Sequence, residues 1–110
     1  MAYSIYITAA AERDLLRATD YIDSVLKNSK AADDLLDEAE TKINALTVFP
    51  KKFKLVDDPV LASWGIHFVV VKGYLAFYVV SDEKQQITIV RFLFQKSNWA
   101  AILRQDLSLS

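Results

Sequence analysis

The chain has 110 residues, of which 53% are hydrophobic and 12% aromatic, with two glycines, two prolines and no cysteine. That is enough apolar material for a single domain, 1–110, to close a core without a metal or disulfide, and it excludes disorder, thiol chemistry and Cys-ligated zinc. Thirteen basic against fourteen acidic residues give a formal charge of −1, without the basic surplus from which a dedicated nucleic-acid binder draws most of its affinity.

The alternation of Tyr3, Ile5 and Ile7 with Ser4 and Tyr6 predicts a first strand. Thr8 then offers a hydroxyl as N-cap to a helix running to about Lys27, with Ala11, Leu15, Ala18, Ile22 and Val25 as its apolar stripe. After Asn28-Ser29, with Ser29 as the cap, a second helix to about Val48 carries Ala32, Leu35, Leu36, Ala39, Ile43 and Leu46 inward. Asp33, Asp34, Asp37, Glu38 and Glu40 line its outer face. The short connection implies an antiparallel helical hairpin, with Leu15, Ile22, Leu36 and Ile43 expected in the core. Pro50 stops the second helix, since it restricts Phe49 and lacks a backbone donor.

Residues 51–63 show no periodic pattern and read as a surface connection. Three β-rich runs follow: Ile66 to Val71, Tyr74 to Val80 and Gln86 to Phe94. Lys72-Gly73 makes a tight hairpin between the first two, and Ser81-Asp82-Glu83-Lys84 makes a polar turn before the third. Asn98 opens a short last helix to about Arg104, and residues 107–110 are expected to fray. The fold class is therefore α+β, in the order β-α-α-β-β-β-α, with the helical hairpin packed on a small antiparallel sheet. Both faces of the three later strands are apolar, so the second face needs cover from the last helix or from a partner.

No basic segment followed by an apolar run opens the chain, and the stretch from Phe68 to Val80 is interrupted and shorter than the roughly 20 residues of a membrane span. A cytoplasmic protein without a membrane partner is the expectation. Groups able to do chemistry are few. His67 is the one histidine and suits general-base work near neutral pH; its ordinary alternative is a hydrogen-bonded strand residue. The carboxylates of the second helix lie along a solvated face, so no metal and no cofactor is expected. Lys51, Lys52 and Lys54 flank Phe53, a basic-aromatic cluster of the kind that grips phosphate backbones, although Asp57 and Asp58 lie close in sequence. There is no Gly-rich phosphate loop and no nucleophile elbow.

Taken together the segments resemble the RelE/ParE family, toxins of type II toxin–antitoxin systems of the plasmid stabilisation type. The resemblance is carried by Ala11-Glu12-Arg13-Asp14-Leu15 with Tyr21-Ile22, by Ala31-Ala32 through Ile43 and Leu46, and by Phe49-Pro50. It continues through Leu55-Val56-Asp57-Asp58, Leu61, Gly65-Ile66, Tyr74-Leu75-Ala76-Phe77-Tyr78 and Ile87 to Leu93, ending at Asn98-Trp99 with Ile102-Leu103. It implies a growth inhibitor silenced by a cognate antitoxin. One branch of the family cleaves messenger RNA on the ribosome with Arg, Lys, His or Tyr side chains on the sheet; the other poisons DNA gyrase.

Several positions depart from the ribonuclease branch. His67 stands where the family commonly has Arg, and Leu75 follows the strand tyrosine where that branch often has Arg. Phe94-Gln95-Lys96-Ser97-Asn98 replaces a His-Gly-Arg-Arg-Asp pattern. Stabilising the charge that develops on a cleaved phosphate needs cations or donors, and neither Leu75 nor Phe94 supplies one. The expectation is a toxin that binds its target, with gyrase favoured by resemblance. The alternatives are a ribosome-dependent messenger-RNA endonuclease using His67, Lys96, Lys51, Lys52 and Lys54, or a degenerate toxin that only binds antitoxin. Outward residues of the hairpin, Tyr21, Val25 and Leu26, are the candidates for antitoxin binding.

Overall fold

A computed structural model describes residues 3–108. The first strand, β1 (Ser4–Ile7), leads into α1 (Ala9–Asp20), a π-helical turn (Tyr21–Val25) and α2 (Ser29–Ala45). A connection holding α3 (Pro59–Ser63) precedes β2 (His67–Val71), β3 (Tyr74–Ser81), β4 (Gln86–Phe94) and α4 (Trp99–Ser108). The sheet order is β1-β4-β3-β2. The three later strands pair antiparallel, as expected, but β1 joins β4 in parallel, so the four-stranded sheet is mixed. The reason is the hairpin: it returns the chain over one face of the sheet before β2 begins, a crossover that alternation within a short strand does not reveal.

The caps explain where the helices start. The Thr8 side chain accepts from Ala11 N–H at 3.1 Å, as the sequence implies. The cap of α2 is Asn28 rather than Ser29: the Asn28 side chain accepts from Ala31 N–H at 3.0 Å, while the Ser29 hydroxyl turns to Asp23. The first regular helix ends at Asp20, short of Lys27. Leu26 N–H reaches back five residues to the Tyr21 carbonyl at 3.1 Å, widening the last turn before Lys27 reverses the chain with a positive φ of 53°. At its other end α2 stops at Ala45 rather than Val48, and Leu46 to Val48 continue in tighter three-residue turns.

The faces of the hairpin are set by helical spacing. Leu35, Ala39, Ile43 and Leu46 point at the sheet, with Leu35 only 1% exposed, and Ala32 is buried near Thr19 of α1. Leu36, expected in the core, is 39% exposed instead. It is one position, about 100° of helical arc, off that stripe. Leu15 and Ile22 are partly buried against the same cluster. The facing sheet residues are Val69 and Val71 of β2, Ala76 and Tyr78 of β3, and Ile87, Ile89 and Phe92 of β4.

The second face is closed by the chain itself. Leu61 of α3 and Leu103 of α4 are fully buried against Ile66, Leu75, Phe77 and Leu93, and the Trp99 ring lies 5.2 Å from that of Phe77. The expected bare connection therefore carries a structural helix, started by Asp58, whose carboxylate accepts Leu61 N–H at 3.1 Å, and by Pro59 in the first turn. A register shift between Phe77 and Tyr78 adds one residue to β4. It moves Phe92 to the hairpin face and leaves Val90 and Leu93 on the other. The last helix runs through Ser108, beyond Arg104, so Leu107 and Ser108 continue it; residues 109 and 110 lie outside the described residues. Among the described residues no helix is long and apolar enough to cross a membrane.

Candidate functional site

The candidate cations fall at two ends of the sheet. The loop after α2 carries Lys51, Lys52 and Lys54 past the start of β2, where the Phe53 carbonyl lies 2.8 Å from His67 Nδ1 and Phe68 N–H donates to the Lys54 carbonyl at 3.4 Å. That contact orients the imidazole by one ring nitrogen. The ring also stacks on Tyr78, with centroids 5.1 Å apart at 17°. Lys96 lies elsewhere. Gln95 N–H donates to the Gly73 carbonyl, which puts Lys96 beside the β2–β3 hairpin. His67 pairs with Tyr78 and Val71 with Tyr74, so His67 and that hairpin are separated by about 13 Å of strand.

The loop lysines are also partly engaged. Lys51 is paired with Asp82, whose other oxygen accepts the Tyr3 hydroxyl at 2.8 Å. The bond to Lys51, followed by that from Tyr3, holds the Asp82 carboxyl below the usual range. In return the bond to Asp82 raises the pKa of Lys51. The Lys52 ammonium sits 5.5 Å from the centre of the Phe53 ring, a cation–π contact. Lys54 forms no ion pair with a described carboxylate. The Tyr78 hydroxyl is buried without a hydrogen-bond partner among the described residues. Burial pushes its pKa up to about 12, and the nearby Phe53 backbone N–H opposes that shift less strongly. Leu75 is buried in the core of the second face, and Phe94 lies half exposed with its ring edge-on to Tyr74.

One charged cluster went unread in the sequence. Asp14 of α1 holds Arg91 of β4 by two bonds, Nε to Oδ2 at 2.6 Å and Nη2 to Oδ1 at 2.9 Å, and Oδ2 also accepts Phe92 N–H at 3.0 Å. The third guanidinium nitrogen bonds Asp106 of α4. The bonds from Asp14, then those from Asp106, raise the pKa of Arg91 and keep it charged. The cluster stands where β1 has ended and the edge of β4 would otherwise be bare: Thr8 Oγ1 donates to the Val90 carbonyl at 3.0 Å, and Asp14 serves the next free amide. The signal available beforehand was an arginine inside the otherwise apolar run Ile89 to Phe94, together with an aspartate on the inner side of α1.

The candidate antitoxin residues form one surface. Tyr21, Val25 and Leu26 are 51%, 61% and 56% exposed on the π-helical turn at the tip of the hairpin. Tyr21 does not close the core between the helices. Its hydroxyl lies near Tyr74, whose pKa is raised first by burial and then by Tyr21. No group of three or more described His, Asp or Glu side chains is placed to hold a metal ion.

The sequence model of the ParE toxin of the type II toxin–antitoxin system parDE matches residues 5–99, and the chain belongs to that family. No curated protein matches its sequence. Among solved structures it is similar to the chromosomal ParDE toxin–antitoxin system of P. aeruginosa, with a TM-score of 0.67 at 18% identity over 84% of this chain and 96% of that one. It is also similar to the RelBE2 toxin–antitoxin complex of Mycobacterium tuberculosis (0.58, 19%, 86% and 100%) and to a free-state mutant of the E. coli toxin RelE (0.62, 15%, 93% and 93%). At these identities the structural likeness shows a shared fold.

Proposed function

We infer that this toxin arrests growth by binding a target rather than by cleaving RNA, that DNA gyrase is that target, and that a cognate antitoxin silences it through the hairpin tip. The observation that carries the reading is the dispersal of the cations. In-line cleavage of a phosphodiester needs several donors aimed at one phosphate. Here Lys96 lies about 13 Å of strand from the pairing position of His67. Lys51 is paired with Asp82 and Arg91 is enclosed between Asp14 and Asp106, which leaves Lys52 and Lys54 as the cations on the loop beside His67.

Family membership supports the antitoxin as partner, as do two solved relatives of the same fold, a toxin–antitoxin complex and a toxin–antitoxin system by their descriptions. Tyr21, Val25 and Leu26 suit an amphipathic helix laid across the tip, with Tyr21 as the aromatic anchor.

Primer-extension mapping of transcripts in cells expressing the toxin tests the reading. Growth arrest with intact transcripts is expected. Discrete cuts within codons, abolished by His67→Ala, would instead establish the ribosome-dependent endonuclease.

A further inference from the structure

At the end of the hairpin away from Tyr21 the surface changes character. Val48 and Phe49 are 65% and 66% exposed, the most exposed large apolar residues described. Phe49 and Lys52 border two grooves at once. On one side lies an open groove of about 680 Å³ floored by Tyr3, Val48 and Pro50 and rimmed by Lys51 and Asp82. On the other lies one of about 320 Å³ along the last turns of α2, reaching Glu38 and Lys42. Lys42 and Phe53 in turn border a third, of about 290 Å³, which runs to Phe68 and Val70 on the outer strand β2. The three form one continuous strip. Four lysines face two carboxylates along it, a local surplus of two positive charges on a chain whose net charge is −1.

We propose that this strip is the surface through which the toxin engages its target, and that the target presents there an acidic protein segment anchored by one aliphatic or aromatic side chain. The proposal rests on the toxin reading above. Charge complementarity sets the sign of the partner, and the lining sets its class. Lys51 is already neutralised by Asp82, and Lys42 donates to the Val70 carbonyl at 2.8 Å. Lys52 and Lys54 remain, too few for a phosphate backbone, whose binding grows with each phosphate neutralised. A protein segment needs fewer charges, because burying an apolar side chain against Val48, Phe49 and Pro50 supplies affinity that a nucleic-acid backbone cannot draw on. The strip is also distant from the antitoxin-facing tip: the 17 residues of α2 span about 25 Å at 1.5 Å per residue. Target and antitoxin thus meet opposite ends of one helical hairpin.

The test compares growth arrest on induction of the wild-type chain, Phe49→Ala, Lys52→Glu and the double variant, alongside the affinity of each purified protein for the purified cognate antitoxin and its melting temperature. Both side chains are exposed, so folding is expected to survive; Lys52→Glu carries the test alone if Phe49→Ala lowers the melting temperature. The expected result is a loss of toxicity of about tenfold or more, for each variant, at antitoxin affinity within about twofold of wild type. Wild-type arrest undiminished by the variants overturns the proposal and leaves the toxin reading standing, as does antitoxin affinity that falls with toxicity. A wild-type chain that arrests nothing overturns both. Retention of a 20-nucleotide single-stranded RNA that Lys52→Glu abolishes would reassign the strip to nucleic acid.

Discussion

The two faces of the sheet are covered by different means. On the hairpin face, two long amphipathic helices bring an apolar stripe onto alternate strand residues, and Leu35, Ala39 and Leu46 are each about 1% exposed. On the other face, the five-residue α3 and the terminal α4 contribute few buried anchors, chiefly Leu61 and Leu103, and are tied down by ion pairs, Asp58 to Arg104 and Arg91 to Asp106. Hydrophobic burial is insensitive to pH and salt in the physiological range, whereas partly exposed ion pairs are screened and titratable. The hairpin face should therefore carry the global stability, and the α4 face should open first.

Arg91 joins the two faces, and it offers the sharpest way to break the comparison. Its bonds to Asp14 are largely hidden from water, while its bond to Asp106 is at the surface; the two aspartate side chains are 6% and 40% exposed. Asp14→Ala leaves a guanidinium and the Phe92 amide without their acceptor and should cost roughly 3–5 kcal/mol. Asp106→Ala should cost under about 1 kcal/mol. Denaturant titration measures both, and equal losses would mean that the two faces are held alike. Within the hairpin, Leu35→Ala should cost roughly 2–5 kcal/mol and Leu36→Ala under about 1 kcal/mol, because only the first empties space in the core.

Tyr78 makes a smaller difference of the opposite sign. Its buried hydroxyl has no described partner, so Tyr78→Phe should stabilise by about 1 kcal/mol. The wild type should also lose stability between about pH 10 and 12. The tyrosine ionises in the unfolded chain near pH 10 but stays protonated in the fold until about 12, so the folded state binds more protons through that window. Melting temperature against pH for the two proteins checks this, and the alkaline decline attributable to Tyr78 should vanish in the variant.

The smallest effect belongs to α3 and α4. The Asp58 carboxyl is held below the usual range, first by Leu61 N–H and then by Arg104. Its contribution is present above the ordinary carboxylate pKa of about 3.9 and is lost as pH falls through the lowered value. Hydrogen exchange below about pH 3.9 should show α4 amides opening before those of α2, and Asp58→Asn should bring that opening on at neutral pH.

The sequence made the hairpin and the three antiparallel strands legible because periodicity at 3.6 and 2 residues reports one-sided burial directly. It misjudged places where a single residue changes the phase. Leu36 sits one position off the stripe of Leu35, and the extra residue in β4 exchanges the faces of Phe92 and Leu93. It missed α3, whose five residues are too few to show a period, although Asp58-Pro59 is a helix-start signal. Of the candidate site, the exposure of Tyr21 and Leu26 could be read from the helical face, whereas Val25, which helical spacing puts on the apolar stripe, is exposed on the π-helical turn. The separation of Lys96 from His67, and the enclosure of Arg91 by Asp14 and Asp106, depend on contacts between distant segments. No local pattern encodes them.

The central claim is that this toxin acts by occupying its target, and the most direct measurement is gyrase-catalysed supercoiling of relaxed plasmid with the purified toxin titrated in, then with purified antitoxin added. The account predicts dose-dependent inhibition that antitoxin reverses and that His67→Ala leaves unchanged. Unimpaired supercoiling at every dose, with messenger RNA cut on translating ribosomes by the same preparation, would contradict it.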